Sequence, residues 1–266
     1  MQNSALSTLP PVRRSQLVGA LIALLVGLGC RGLSSTDEPA LRVASDLDNR
    51  PFAYVDAAGT PAGRDVEMMA ELARRIGREL EWVRMPFDEL LPAVERGEVD
   101  VVCATIGITP ERAERVSFTQ PYFNTAIVLL QRNDATLDQA LAPGAKLYGG
   151  AGTTAERAIR LHAPQAELVS AAKDDRTSIE RLEAGELFAI AMDEPAARAR
   201  AEASGGRLAL RDRPLCGESY ALVLPLHFQA LRAKLDHALA RMGVQGELER
   251  LDRAHGLRPA GAPGQR

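Results

Sequence analysis

Val99-Asp-Val-Val-Cys-Ala-Thr-Ile-Gly-Ile-Thr-Pro-Glu-Arg112 is an apolar run that stops at small and hydroxyl residues and restarts as a helix. Its β-branched start, Val99 to Cys103, suits a strand covered on both faces, the usual condition of a parallel sheet. Thr109 has an N-capping side chain, Pro110 the fixed φ of a first helical position, and Arg112 falls in that first turn. Helix N-termini offer free N–H groups and partial positive charge, so an arginine beside one makes a receptor for a carboxylate. An exposed arginine after an ordinary capped turn is the alternative that this local pattern leaves open.

Upstream, the pattern predicts strand Leu41 to Ser45, helix Asp65 to Ile76, strand Leu80 to Val83 and helix Asp88 to Arg96, with strand Val99 to Ala104 closing a βαβαβ unit. Such alternation implies a parallel sheet with right-handed crossovers. Asp65 and Asp88 are read as N-caps, and Val66, Met69, Ala70, Ala73 and Ile76 as one apolar face; Leu90, Leu91 and Val94 face inward from the next helix. Downstream, strand Lys146 to Tyr148 runs into Gly152-Thr-Thr-Ala-Glu156, where Thr153 and Glu156 have capping-box spacing. Strand Glu167 to Val169, helix Thr177 to Glu183, strand Leu187 to Met192 and helix Pro195 to Ala203 complete a second α/β unit. Helices at about Leu226 to Met242 and Gln245 to Ala254 follow.

Extended segments at Ala126 to Gln131 and Ser219 to Leu224 would carry the chain from one lobe to the other and back. Ligands of open α/β sheets bind beyond the carboxyl ends of strands. On that rule Thr105 to Arg112, Gly152 to Thr154 and Asp193 line one cleft. Asp193 is also placed to cap the helix that begins near Pro195.

The 266 residues are 46% hydrophobic and 25% charged with a net charge of −3, which describes an ordinary globular protein and argues against a nucleic-acid partner. Arg13 and Arg14 precede an uncharged apolar run, Leu17 to Gly29, short for a membrane span and suited to a signal-peptide core. The run ends Gly27-Leu-Gly-Cys30, which resembles a bacterial lipobox with Cys30 as the lipidated residue, although Gly27 stands where leucine is usual. Residues 1–30 are therefore read as a signal peptide, 31–40 as a tether, 41–126 plus 222–257 as lobe 1, 127–221 as lobe 2, and 258–266 as a disordered Gly/Pro-rich tail. Export permits a disulfide between Cys103 and Cys216, but spacing does not show that they meet, and two unpaired thiols serving as small apolar side chains is the reading taken. The four histidines and three cysteines show no metal-ligand spacing.

From Leu41 to about Leu257 the chain resembles the periplasmic amino-acid-binding proteins of ABC transporters. The resemblance rests on Asp46 with Pro51-Phe52 and Tyr54, Gly63-Arg-Asp-Val66, Phe87-Asp-Glu-Leu-Leu-Pro-Ala93, Gly97 to Asp100, Ile108-Thr-Pro-Glu-Arg112, Pro121-Tyr122, Gly152-Thr-Thr154 and Met192-Asp-Glu194, in that order. It implies an α/β, two-lobed Venus-flytrap fold with two hinge crossings, a monomer without cofactor, periplasmic or lipid-anchored at the cell envelope, that delivers an L-amino acid to permease subunits. It further implies that Arg112, with the N–H groups of Gly107 and Thr154 beside Thr153, takes the α-carboxylate. Asp193 and the carbonyl at Thr105 take the α-ammonium. Both charges of a zwitterion taken out of water need answering, which gives this pairing its physical sense.

Phe87 matches one of two rings that sandwich the ligand in relatives; Asn49 stands at the other. Phe52 either packs nearby or belongs to the core. Asp46 matches an acidic position that in some relatives binds a cationic or amide side chain, so a polar or basic ligand is expected. Ala104 stands where serine is common and Arg64 where phenylalanine or tyrosine is common. The same fold includes an exported enzyme, cyclohexadienyl dehydratase, which needs a placed general acid; Glu194 and Asp46 are the only candidates near the quoted motifs. A ligand-sensing lipoprotein is the third reading.

Overall fold

Strands β1 (Leu41–Ser45), β2 (Asp48–Asn49), β3 (Ala53–Val55) and β4 (Pro61–Ala62) lead into helix α1 (Arg64–Ile76) in the computed structural model, which describes residues 38–170, 175–210 and 213–257. The expected signal peptide with Cys30, most of the expected tether and the 258–266 segment read as a tail lie outside those residues. Next come β5 (Leu80–Arg84), α2 (Phe87–Glu95), β6 (Val101–Val102), the single turn α3 (Pro110–Ala113) and β7 (Ser117–Phe118). The chain then crosses on β8 (Phe123–Arg132) to α4 (Leu137–Ala140), β9 (Lys146–Tyr148), α5 (Thr154–His162), β10 (Glu167–Val169), α6 (Asp175–Glu183), β11 (Ala189–Asp193), α7 (Glu194–Ala203) and β12 (Leu208–Leu210). It returns on β13 (Cys216–Tyr220) to β14 (Val223–Leu224), α8 (Gln229–Val244) and α9 (Glu247–Ala254).

Two sheets result. Lobe 1 has strand order β5-β1-β6-β14-β7, with β5, β1 and β6 parallel and β14, which arrives from the end of the chain, antiparallel to β6. Lobe 2 has order β10-β9-β11-β8-β12, with β13 pairing the first half of β8 while β12 pairs its second half. The two crossings are therefore one antiparallel ribbon, in register from Cys216 opposite Ile127 to Tyr220 opposite Phe123. Strand β8 is buried along nearly all its length because helices cover both faces of its sheet. A small antiparallel sheet β2-β3-β4, which the periodicity did not announce, sits on lobe 1.

Where the crossings enter lobe 1, Phe52, Phe123 and Tyr220 pack at centroid distances of 5.1 to 5.8 Å, edge-on or stacked. Beside them lies a buried ionic cluster. The Arg64 Nε donates to Asp252 Oδ1 at 2.8 Å, its Nη1 to Asp65 Oδ1 at 3.0 Å and its Nη2 to the Tyr122 carbonyl at 3.2 Å, while the Tyr122 hydroxyl donates to Asp65 Oδ2 at 2.8 Å. Asp65 is thus an ion-pair partner and not the expected N-cap; that position falls to Gly63, whose φ of 117° only glycine adopts readily. The buried face of α1 runs through Arg64, Asp65, Met68, Met69, Leu72 and Ala73, so Ala70, read as apolar-facing, points to solvent. Asp88 likewise lies inside α2, which starts at Phe87 behind Pro86. Cys103 is buried and Cys216 half-buried, and both are free thiols. Among the described residues no helix is long and apolar enough to cross a membrane.

Candidate functional site

Thr109 caps α3 as its sequence suggests: its Oγ1 accepts from the Arg112 N–H at 3.2 Å, with Pro110 in the first turn. A one-turn helix pinned at its start carries Arg112 at a fixed angle. The Arg112 guanidinium then donates from Nη1 to the Gly107 carbonyl in lobe 1 at 2.7 Å and from Nη2 to the Gly152 carbonyl in lobe 2 at 3.0 Å. The arginine therefore bridges the lobes and keeps N–H donors in reserve. Burial pulls its pKa down, against the pull of Glu218 and Glu111 in the other direction. A second bridge beside it joins Arg157 of α5 to Glu111 of α3 at 3.2 Å.

Opposite Arg112, Thr153 caps α5. Its Oγ1 accepts from the Glu156 N–H at 3.3 Å, while the Glu156 carboxylate accepts from the Gly152 N–H at 2.7 Å in place of the capping-box bond to Thr153. Among the described residues neither the Gly107 N–H nor the Thr154 N–H is taken up by a backbone carbonyl. The two amides and the Arg112 guanidinium are donors of the kind that hold a carboxylate. Gly107 leaves the room: a Cβ there would stand 2.0 Å from Glu218 Oε1 and 2.8 Å from Thr154 Cγ2.

The acidic side of the cleft is fuller than the sequence suggested. Asp193 ends β11 and precedes α7 but makes no capping bond, and its Oδ1 is buried without a partner among the described residues. Glu218 Oε2 and the Tyr220 hydroxyl are in the same condition, while Glu218 Oε1 accepts a hydrogen bond from the Thr154 hydroxyl. Burial raises the Asp193 pKa. Glu218 is pushed up to about 9, first by burial and then by the adjoining Asp193 charge. Asp46 is raised too, chiefly by burial, and its Oδ1 is also buried without a partner.

The remaining predicted residues divide. Thr105 stands at the end of the segment leaving β6 with φ of 50°, uncommon for a β-branched residue, and its Oγ1 accepts from Asn49 Nδ2 at 2.9 Å. Phe87 is half-buried at the start of α2, packed against lobe 1. Phe52 is 2% exposed inside the aromatic stack, so it backs the cleft from the core. Glu218 was missed because the return crossing was read from Ser219, and Tyr220, inside that reading, was given no role. The crossing begins at Cys216, and strand alternation from there puts Cys216, Glu218 and Tyr220 on one face. A glutamate two residues before a buried tyrosine was the available signal.

Two α/β lobes joined by a paired ribbon, with Arg112 reaching from one to the other, have the architecture of a bilobed receptor. Residues 41–257 match the bacterial extracellular solute-binding proteins, family 3, and the chain belongs to that family. It is 28% identical over 222 residues to a histidine-binding periplasmic protein of Salmonella typhimurium, covering 79% of this chain and 85% of that one. It is 32% identical over 140 residues to a putative ABC transporter arginine-binding protein of Escherichia coli, covering 52% of this chain and 56% of that one. Among solved structures, an L-arginine-bound amino acid ABC transporter substrate-binding protein from Streptococcus pneumoniae is similar at TM-score 0.73 and 27% identity, over 81% of this chain and 94% of that one. An ancestral amino-acid-binding protein described as a precursor of cyclohexadienyl dehydratase is similar at 0.71 and 25%, with the same coverages of 81% and 94%. The protein is accordingly an extracytoplasmic amino-acid-binding protein of the two-lobed Venus-flytrap fold.

Proposed function

We propose that the cleft captures a cationic L-amino acid and that the closed form presents it to the permease of an ABC importer. The observation that carries this is the charge balance of the cleft. Asp46, Asp193 and Glu218 each have a buried oxygen short of a hydrogen-bond partner among the described residues, Glu218 keeps a proton until a cation replaces it, and Arg112 is the cation placed where the lobes meet. Leaving such oxygens unanswered costs about 1–3 kcal/mol each, and a ligand with two cationic groups and one carboxylate answers them. The histidine- and arginine-binding names of the relatives support the same class. In this reading Arg112, Gly107, Thr153 and Thr154 seat the carboxylate, Asp193 and the Thr105 carbonyl the ammonium, and Asp46 and Phe87 the side chain. The sheet pairings support lobes at 41–126 with 222–257 and at 127–221, flexing on the β8–β13 ribbon. Contacts made only when the lobes are shut would drive the closure.

A thermal-shift screen over the common amino acids tests this, since a ligand bound only to the native state raises stability by mass action. L-Arginine, L-lysine or L-histidine should give the largest shifts; a larger shift with L-leucine overturns the preference. Lipidation of Cys30 after signal removal remains part of the proposal, and intact mass of the membrane-extracted protein checks it. One observation favours a second reading. Glu218, neutral at pH 7, is the kind of carboxylic acid a cyclohexadienyl dehydratase needs, and phenylpyruvate absorbance appearing on incubation with prephenate would establish it.

A further inference from the structure

We infer that Glu218 and Asp193 act as a paired-carboxyl receptor for the ligand's ammonium group, holding a proton between them when the cleft is empty and exchanging it for the ammonium on binding. This rests on the amino-acid-binding reading and adds to it a residue and a proton.

The geometry comes from two strands of lobe 2 that flank β8 on either side. Asp193 ends β11 and Glu218 lies in β13, opposite Ile127 and Thr125 of β8 respectively. One Glu218 oxygen is held by the Thr154 hydroxyl and lies against Gly107, which fixes the carboxyl at the mouth of the carboxylate seat. Its other oxygen, Asp193 Oδ1 and the Tyr220 hydroxyl are buried beside one another, and Asp193 acts on the protonation of both Glu218 and Tyr220. An ammonium has three N–H donors, which the two carboxyls can accept once the proton between them has left, with the Tyr220 hydroxyl adjoining Asp193. Two carboxyls in one buried site cannot both ionise without a cation, so a proton must stand in until one arrives.

The charged and titratable groups around Glu218 agree with this assignment. Asp193 faces it from β11 and Arg112 from the α3 segment, with Tyr220 and Cys216 on its own strand; Arg157 of α5 acts on Cys216 at one remove. Arg112 donates to the Gly107 and Gly152 carbonyls, and its charge pulls the Glu218 pKa down less than burial and Asp193 push it up. Glu218 accordingly holds its proton up to about pH 9. On binding, the carboxyl O–H proton passes to water and a ligand N–H takes its place, so the exchange balances in charge.

Isothermal titration of the full chain with L-arginine at pH 7, in phosphate and in Tris, counts the protons exchanged. Wild type should release close to one proton per ligand, and its affinity should rise about tenfold per pH unit from pH 6 to 8. Glu218→Gln, which keeps the Thr154 contact, and Glu218→Ala should release none and show a flat pH profile, with circular dichroism confirming the fold. Release of no proton by wild type, or equal release by the variants, overturns the inference and leaves amino-acid binding standing. Failure of wild type to bind L-arginine or any other α-amino acid overturns both.

Discussion

Arg64→Met tests how the buried ionic cluster holds lobe 1 together. The guanidinium has no exposed surface and is the shared partner of Asp65, Asp252 and the Tyr122 carbonyl. Methionine restores much of the volume and none of the charge, so two carboxyls are left in an apolar setting without a cation. Holding one of them protonated at pH 7 costs about 4 kcal/mol, given a reference pKa near 3.9 and about 1.4 kcal/mol per unit. That agrees with the roughly 3–5 kcal/mol typical of breaking a buried pair from one side, and for a chain this size it means a Tm lower by about 6–20 °C.

The pH dependence carries a definite sign. The Asp65 carboxyl already lies above its ordinary value because burial outweighs Arg64, and removing Arg64 raises it further. A carboxyl whose folded pKa is raised binds its proton in the folded state first, so stability is fully present below the unfolded pKa and is lost as pH rises toward the folded one. The variant's deficit in urea unfolding should therefore be largest at pH 7 and shrink by about 1.4 kcal/mol per unit toward pH 5. Combining Arg64→Met with Asp65→Asn and Asp252→Leu should recover much of the loss, since replacing all partners strands no charge. A loss under about 1 kcal/mol, or one that does not change with pH, would refute this account.

Other substitutions probe the site and its supports. Arg112→Ala should weaken L-arginine binding by about 2–5 kcal/mol, some 30-fold or more, with circular dichroism unchanged; unaltered titration would remove Arg112 from the site. Gly107→Ala should reduce the ligand-induced thermal shift without unfolding the chain, because the new Cβ, 2.0 Å from Glu218 Oε1 and 2.8 Å from Thr154 Cγ2, displaces the Glu218 carboxyl. Gly63→Ala acts on the fold itself: its Cβ would lie 2.4 Å from the Phe52 carbonyl oxygen at φ of 117°, so urea unfolding should show a loss of at least about 3 kcal/mol. Thr109→Ala should cost about 1 kcal/mol as a lost N-cap and weaken binding beyond what a distant cap such as Thr136→Ala does, since it frees the turn bearing Arg112.

What could be read from the chain was what neighbours in sequence decide. Thr109, Pro110 and Arg112 form a cap and a turn among themselves, and β1, β5 and β6 announce a parallel sheet through their own apolar runs. The capped turn that carries Arg112 was legible for that reason. Arg64 was not: it looked like a stray charge before a helix, and its meaning depends on Asp252, 188 residues away. The same contact demotes Asp65 from cap to ion partner, because a buried guanidinium competes for a carboxylate more strongly than a backbone N–H does.

Glu218 is the more instructive omission. Alone it is one acid in a half-apolar strand, and such residues usually face water. Three remote features turn it inward: β13 pairs with β8 along five residues, Gly107 leaves room above it, and Thr154 holds one of its oxygens. None of these is local to Glu218, and of them the sequence offered only a strand read from Ser219 onward and a helix start at Thr153, next to Thr154. Their convergence also alters the meaning of Asp193. A lone aspartate facing the cleft would be an ordinary ammonium acceptor, ionised and waiting; beside Glu218 it belongs to a pair that must carry a proton or a ligand. The cleft therefore has no fully discharged resting state, and the affinity of the receptor for an amine becomes a competition against protons that the composition of the chain gives no means of foreseeing.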